Sequence, residues 1–334
     1  MRTRAFGNSG LTTSAIGFGT WALGSDWWGD HEPPDRLISR ALDLGITFFD
    51  TADTYGSGTN EEIVGEALAR AGARRDEIQL STKFGYVLDA DRQGHTEGER
   101  PHDWSPAHAR RALEASLRRL RTDHIDLYQL HNPQMDAIER DNLFEELERC
   151  KDEGKIRQYG VALGPKIGWR EEGLRALERR DIASLQTVYN LLEQEPGADF
   201  LDAAGERGIG VIARVPTSSG LLEGHLTPDT TFEGNDHRRH RPRSWLVDGL
   251  KKVDQLQFLT RDGERTLAQA AMKFVLAQPA IACIVHTVNT SAQLEEWAAA
   301  GGDEVPELDD DELREIAALY DAGFGLAAAS SVKS

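Results

Sequence analysis

Four side chains in this sequence have types and positions suited to proton transfer: Asp50, Tyr55, Lys83 and His131. Each stands at, or just beyond, the end of a short apolar run. The first run is Phe48-Phe49-Asp50, which turns into Thr51-Ala52-Asp53-Thr54-Tyr55-Gly56. The second is Leu80-Ser81-Thr82-Lys83-Phe84-Gly85, and the third ends Leu130-His131-Asn132-Pro133. A free phenol, with a pKa near ~10, is a poor acid at neutral pH. An adjacent ammonium stabilises phenolate and makes the phenol a better proton donor. A carboxylate paired with that ammonium keeps it charged and in place. A histidine beside the phenol orients a carbonyl oxygen or shares its proton. The set is a tuned general acid/base for protonating a carbonyl oxygen or deprotonating an alcohol. It holds no hydride donor, so redox chemistry here requires a cofactor. Each residue also has a plainer reading: Asp50 as a turn cap, Tyr55 as surface packing, His131 as a turn residue before Asn132-Pro133. Lys83 resists such a reading, because a lone lysine in an apolar strand is costly.

The four converge only if the three runs are neighbouring parallel strands. Along the chain, short β-branched apolar runs alternate with amphipathic, charged stretches. Strands are expected near 15–20, 46–51, 78–83, 125–130, 157–162, 184–189, 210–215 and 282–287. Helices are expected near 34–44, 60–71, 106–121, 141–153, 170–180, 198–207, 266–278 and 291–300. The stretch 106–121 opens with Ser105-Pro106, an N-cap followed by proline in the first turn. Its Ala109, Leu113, Leu117 and Leu120 recur at helical spacing. Eight β-then-α units in one series predict an α/β protein with a closed (β/α)8 TIM barrel. In such a barrel, polar residues at the C-terminal strand ends surround one mouth. The alternative is a doubly wound open sheet with a Gly-x-Gly-x-x-Gly fingerprint, but Gly17-Phe18-Gly19-Thr20-Trp21 has no third glycine in register.

The 334 residues are read as one barrel domain, 1–334, with an N-terminal hairpin over 1–14 and a C-terminal helix and tail over 303–334. The hairpin turns at Asn8-Ser9-Gly10 and is placed at the bottom of the barrel. The final helix is expected near 309–320. Polar inserts at 85–104 and 217–265 follow the third and seventh strands, which puts both on the active face. The formal charge is 38 − 56 = −18. That balance excludes a general nucleic-acid binder and a polybasic membrane protein. It is assigned to the outer helices and the acidic run 303–312, in the service of solubility. No apolar run approaches the ~18 residues of a membrane span. The first residues lack the apolar core of a secretion signal, so a cytoplasmic location is expected. Cys150 and Cys283 are too few for a disulfide framework or a zinc centre and are read as buried thiols; no metal site is expected.

The chain resembles the aldo-keto reductase superfamily, in its longer bacterial branch, over essentially its full length. The marks are Gly17-Phe18-Gly19-Thr20-Trp21, the segment Phe48 to Gly56, Asn60-Glu61-Glu62, Ser81-Thr82-Lys83-Phe84-Gly85 and Asp126-Leu127-Tyr128-Gln129-Leu130-His131, in order and at the right spacing. The resemblance implies the barrel and the NAD(P)-dependent interconversion of carbonyls and alcohols, with a small-molecule carbonyl or alcohol as substrate. It implies Asp50, Tyr55, Lys83 and His131 as catalytic tetrad, with Tyr55 as proton donor, and Trp21 and Trp28 beside Tyr55 and His131 on the substrate.

On the cofactor side the resemblance points to Gly19, Thr20, Trp21, Asp50, Gln186, Arg214, Pro216, Ser219, Gly220, Leu221, Thr287, Asn289, Gln293 and Glu296. Several positions depart from the family pattern. Its Ser-Asn carboxamide contacts are replaced within Gly160-Val161-Ala162-Leu163-Gly164-Pro165, whereas Gln186 keeps the third contact. Arg214 stands where a nicotinamide-stacking aromatic is usual. The phosphate motif Pro-Gly-x-Arg corresponds to His286-Thr287-Val288-Asn289, and the last Asn of the adenine motif to Trp297. Without that arginine, NAD is as plausible a cofactor as NADP. The run His237-Arg238-Arg239-His240-Arg241-Pro242-Arg243 offers an anion clamp or a solvated loop. Trp21, Trp27, Trp28 and Trp104 fall in active-face loops as pocket walls or rim packing. The departures keep two other readings open: a lyase or isomerase reusing the mouth for proton transfer, and a non-catalytic nicotinamide-binding redox sensor.

Overall fold

A strand buried on both faces needs apolar residues facing outward to the helices and inward to the barrel. The runs read from the sequence meet that need. The computed structural model describes residues 1–24, 30–89, 100–164, 169–234 and 236–326. A two-stranded antiparallel hairpin, β1 (Thr3–Ala5) and β2 (Thr12–Ser14), precedes the barrel. Among the described residues eight parallel strands then close on themselves: β3 (Ile16–Gly19), β4 (Phe48–Asp50), β5 (Gln79–Phe84), β6 (Ile125–His131), β7 (Ile156–Ala162), β8 (Ser184–Val188), β9 (Gly210–Arg214) and β10 (Ile281–Thr287). β3 pairs with both β4 and β10, so the sheet has no edge and the doubly wound alternative is excluded. The helices are α1 (Pro34–Asp43), α2 (Thr59–Arg70), α3 (Pro106–Leu120), α4 (Met135–Ile138), α5 (Asp141–Asp152), α6 (Arg170–Arg179), α7 (Gly197–Arg207), α8 (Arg243–Gln255), α9 (Leu267–Leu276), α10 (Ser291–Ala300) and α11 (Asp310–Asp321). Ser105 caps α3 as expected, its hydroxyl accepting from the His108 amide at 3.2 Å.

The barrel interior changes character along its axis. Phe48, Leu127, Ile212 and Cys283 form one buried cluster with Phe6 of the hairpin, which therefore closes the barrel from inside. The Phe6 and Phe48 rings meet at a tilt, 5.8 Å apart. Inward positions recur every second residue. Two residues further along the same strands come Asp50, Gln129 and Arg214, and β5 adds Ser81 and Lys83. An apolar floor thus gives way to a polar layer toward the C-terminal strand ends.

Three elements differ from the expectation. β4 is shorter than 46–51, because Thr47 exchanges hydrogen bonds with Ser14: its hydroxyl accepts from Ser14 N at 3.1 Å, and its amide donates to Ser14 Oγ at 3.0 Å. The insert 217–265 contains α8, whose Leu246 and Val253 are buried and whose Gly249 packs on Leu221. The acidic run 303–312 is not only a solubilising surface. Glu307 accepts from the buried Lys273 ammonium at 2.7 Å, and Glu312 pairs with Arg265 and with Arg261, the latter at 2.8 Å. α11 itself starts in a capping box formed by Asp309 and Glu312. Cys150 and Cys283 are free and buried; burial raises both thiols, that of Cys150 to about 11. No helix among the described residues is long and apolar enough to cross a membrane.

Candidate active site

The polar layer at the strand ends is a connected network. Lys83 Nζ donates to Asp50 Oδ2 at 2.5 Å and to the Thr51 carbonyl at 2.7 Å. Asp50 Oδ1 accepts from Ser81 Oγ at 2.7 Å, and Ser81 accepts in turn from Gln129 Nε2 at 2.9 Å. Burial alone would lower the Lys83 ammonium, but the charge of Asp50, then that of Tyr55, carries it above the ordinary lysine range. The network therefore maintains a fixed positive charge inside the barrel.

Tyr55 enters this network from the turn after β4. The turn Tyr55–Gly58 puts Gly56 at φ 57, Ser57 at φ 56 and Gly58 at φ 99. Gly56 has little alternative, since a Cβ there would stand 2.3 Å from the Gly24 carbonyl oxygen. The turn sets the Tyr55 ring 5.3 Å from Lys83 Nζ. It also meets the His131 ring edge-on at 5.9 Å and lies 6.4 Å from Trp21. His131 is held at its backbone: His102 Nε2 donates to its carbonyl at 3.1 Å. Burial, then the charges of Lys83, Arg214 and His102, pushes the His131 imidazole well below its ordinary value. It is a neutral ring at neutral pH, and its Nδ1 has no hydrogen-bond partner among the described residues. The structure thus brings Asp50, Tyr55, Lys83 and His131 to one mouth.

A cavity of about 90 Å³ opens beside them, lined by Gly19, Thr20, Trp21, Asp50, Tyr55, Gln186, Arg214, Ser219 and Thr287 from among the residues singled out in the sequence. Val215, Thr217, Val285 and His286 line it too and were not anticipated. Arg214 reaches across the mouth, Nη2 donating to the Leu163 carbonyl at 2.7 Å. Burial holds its guanidinium below the ordinary value. Arg214 Nε and Gln186 Nε2 are buried donors without a partner among the described residues. Two such donors in one cavity fit a ligand that brings acceptor atoms, as a carboxamide or a phosphate does.

Other anticipated residues stand outside the cavity lining. Pro216, Gly220 and Leu221 belong to the loop that carries Ser219. Asn289 donates to the Asp30 carbonyl at 3.0 Å, Gln293 completes the capping box of α10, and Glu296 accepts from Thr266 Oγ1 at 2.6 Å. Trp104 packs on Gly85 and stacks on His102 at 4.9 Å, so it is rim packing. Trp27 and Trp28 lie outside the described residues. In the basic run, His237 meets the edge of Trp21 at 5.5 Å, which carries the loop to the mouth. Its arginines are engaged within the loop. Arg238 pairs with Asp236 at 2.6 Å, Arg241 covers the Trp245 ring at 5.1 Å, and Arg243 donates to the Thr230 carbonyl at 2.6 Å.

Ser81 and Gln129 were not anticipated, because the strand register that joins them to the tetrad is not visible in the sequence. They occupy inward positions on β5 and β6, and Gln129 is paired in register with Lys83.

Comparison with known proteins agrees with this geometry. The family model described as the aldo/keto reductase family matches residues 15–321. The aldo-keto reductase YhdN of Bacillus subtilis is 34% identical, with 88% of this chain and 87% of that protein covered. The Schizosaccharomyces pombe protein named aldo-keto reductase yakc [NADP(+)] is 31% identical, with 83% and 79% covered. Among solved structures, the glycerol dehydrogenase AKR11B4 from Gluconobacter oxydans superposes with a TM-score of 0.81 at 28% identity, covering 99% of both chains. The aldo-keto reductase AKR11C1 from Bacillus halodurans in its holo form gives 0.73 at 31% identity, covering 96% of both. A closed barrel, a mouth built from three strand-end residues and a tyrosine of the turn after β4, and a match across the barrel's whole length lead to one conclusion: this chain belongs to the aldo/keto reductase family and is an NAD(P)-dependent oxidoreductase.

Proposed function

We propose that the protein interconverts a carbonyl compound and an alcohol, with Tyr55 as the general acid/base. The observation that carries the proposal is the buried Asp50–Lys83 pair facing the Tyr55 ring, with neutral His131 edge-on to the same ring. A nicotinamide held in this cavity would supply the hydride for reduction of the carbonyl carbon. Tyr55 gives its proton to the carbonyl oxygen, and the Lys83 ammonium stabilises the phenolate left behind. Asp50 holds that ammonium in place, and His131 orients the oxygen without competing for the proton. Gln186 Nε2 and Arg214 Nε, buried donors without a partner among the described residues, support a contact to the carboxamide oxygen. Either NADPH or NADH is compatible with these groups. Trp21 and Arg214 favour a sugar-like or anionic carbonyl compound.

Fluorescence titration with NADPH and with NADH, followed by turnover of a simple aldehyde, tests the reading. Binding of at least one dinucleotide and its net oxidation are expected. Tyr55→Phe should keep the binding and lose turnover by a factor of about 10² or more. Near wild-type reduction by this variant would remove Tyr55 from its role. Turnover without net dinucleotide oxidation would favour a lyase or isomerase, and binding without turnover a redox sensor.

A further inference from the structure

A second group of titratable side chains borders the same cavity without joining the tetrad. His286, near the end of β10, is 5% exposed and hydrogen-bonded at both ring nitrogens. Nδ1 stands 2.9 Å from the Thr287 carbonyl oxygen, which only accepts, so Nδ1 carries a proton. Nε2 stands 2.9 Å from Thr217 Oγ1. Thr217 donates its hydroxyl proton to Glu223 Oε1 at 2.7 Å. Glu223, Thr217 and His286 thus form one buried hydrogen-bonded chain, and Glu223 Oε1 also stands 3.6 Å from Nε2. Burial would raise the Glu223 carboxyl, but the bonds and charge of His286 and the Thr217 hydroxyl hold it below its usual range. Trp297 supports the ring from below, stacked at 3.7 Å and 12°. Two departures from the family pattern, at 286 and 297, are thus one packed pair.

The Glu223–Thr217–His286 chain ties the loop after β9 to the end of β10. The segment it fastens is strained. Val215, Ser218 and Ser219 have φ 57, 50 and 57, and Gly220 follows at φ 93. A β-branched residue in the left-handed region is a true outlier, and such backbone persists only where its surroundings hold it. Asn190 holds one end, donating to the Val215 carbonyl at 3.0 Å. Glu223 holds the other through Thr217 and His286. Loops after the seventh and eighth strands of β/α barrels commonly receive phosphate. Here they supply Thr217, Ser219 and Thr287 to the cavity wall.

We infer that Glu223 and His286, joined through Thr217, are positioning residues that hold the strained loop 215–220 in the shape that receives the phosphate-bearing part of the nicotinamide cofactor. This rests on the cofactor reading above. The test uses the full-length Glu223→Gln and Thr217→Val variants, titrated with NADPH and NADH and followed in single turnover at saturating dinucleotide. Both variants should weaken dinucleotide binding by about tenfold, the scale of one or two lost hydrogen bonds. In Glu223→Gln, whose side chain stands outside the cavity lining, the single-turnover hydride rate should stay within about twofold, which separates binding from chemistry. Glu223→Asp should recover part of the affinity. General loosening would instead lower the thermal midpoint and slow the hydride step together, and that result overturns the inference. Unchanged affinity in a folded Thr217→Val variant overturns it as well, even if Glu223→Gln fails to fold. Wild-type protein that binds neither dinucleotide overturns the cofactor reading, and this inference with it. Wild-type binding with unaltered variants overturns this inference alone.

Discussion

Lys83 Nζ lies 2.5 Å from Asp50 Oδ2, and the two side chains are 1% and 5% exposed. Breaking such a pair leaves an uncompensated buried charge, at a cost of about 3–5 kcal/mol. Asp50→Asn should therefore lower stability by roughly 3 kcal/mol, read as a shift in the urea midpoint. Lys83→Met in the Asp50→Asn background should cost far less than the sum of the two single changes, because the orphan charge is gone. Additive costs would mean that the pair does not act as a unit.

Gln129 and Ser81 act one step behind the tetrad. Gln129 Nε2 donates to Ser81 Oγ, and Ser81 donates to Asp50 Oδ1. Ser81→Ala removes one bond from a buried carboxylate and should cost about 1.5–3 kcal/mol of stability. We expect kcat to fall about tenfold with dinucleotide Kd unchanged, because the Asp50–Lys83 geometry loosens while the cavity wall stays intact. A change in Kd with normal kcat would place Ser81 in the cofactor site instead.

Histidine burial sets the acid limb of stability. Burial, then Asp236 in opposition, leaves the His237 imidazole at about 4, and His131 is also well below its ordinary value. Unfolded histidine titrates near ~6.5. Below that pH the unfolded chain binds more protons than the folded one, so stability falls as pH falls. Each such histidine contributes up to about 1.4 kcal/mol per pH unit across that window. For His237 the loss continues from ~6.5 down to its folded value near 4. Urea midpoints at pH 7, 6 and 5 should show a shallower slope in His237→Gln than in wild type. An identical slope would mean that His237 is open to solvent and protonates in the folded state.

The barrel was legible because its signals are local and repeated: apolar runs, helical spacing, the Ser105 cap. The tetrad was legible because strand ends in a barrel share one mouth. What stayed hidden depends on contacts between strands. Ser81 and Gln129 look ordinary until the register sets Gln129 beside Lys83. α8 was missed because its apolar positions Leu246, Leu250 and Val253 are interrupted by Gly249 and flanked by the arginine run. The basic run drew attention as a group, yet its arginines bind aromatic faces and carbonyls of their own loop. The acidic run 303–312 read as surface until Lys273 and Arg265 emerged as buried partners of Glu307 and Glu312.

Arg214 trades stability for binding. Its guanidinium is buried, has no carboxylate partner among the described residues, and gives one donor to the Leu163 carbonyl. Replacing a buried charge by an apolar side chain of similar length is often neutral or stabilising. Arg214→Met should therefore leave stability unchanged or raise it by roughly 1 kcal/mol, read from the urea midpoint. The same change should weaken dinucleotide binding by about tenfold, since a planar donor group is lost from the cavity. Arg214→Lys should not restore it, because a point charge on a flexible stem cannot replace a planar fork. Gln186→Leu, which removes the neighbouring unpaired donor, should weaken binding to a similar degree. If Arg214→Met binds dinucleotide as tightly as wild type while Gln186→Leu does not, the carboxamide contact belongs to Gln186 alone, and Arg214 serves the substrate side of the mouth.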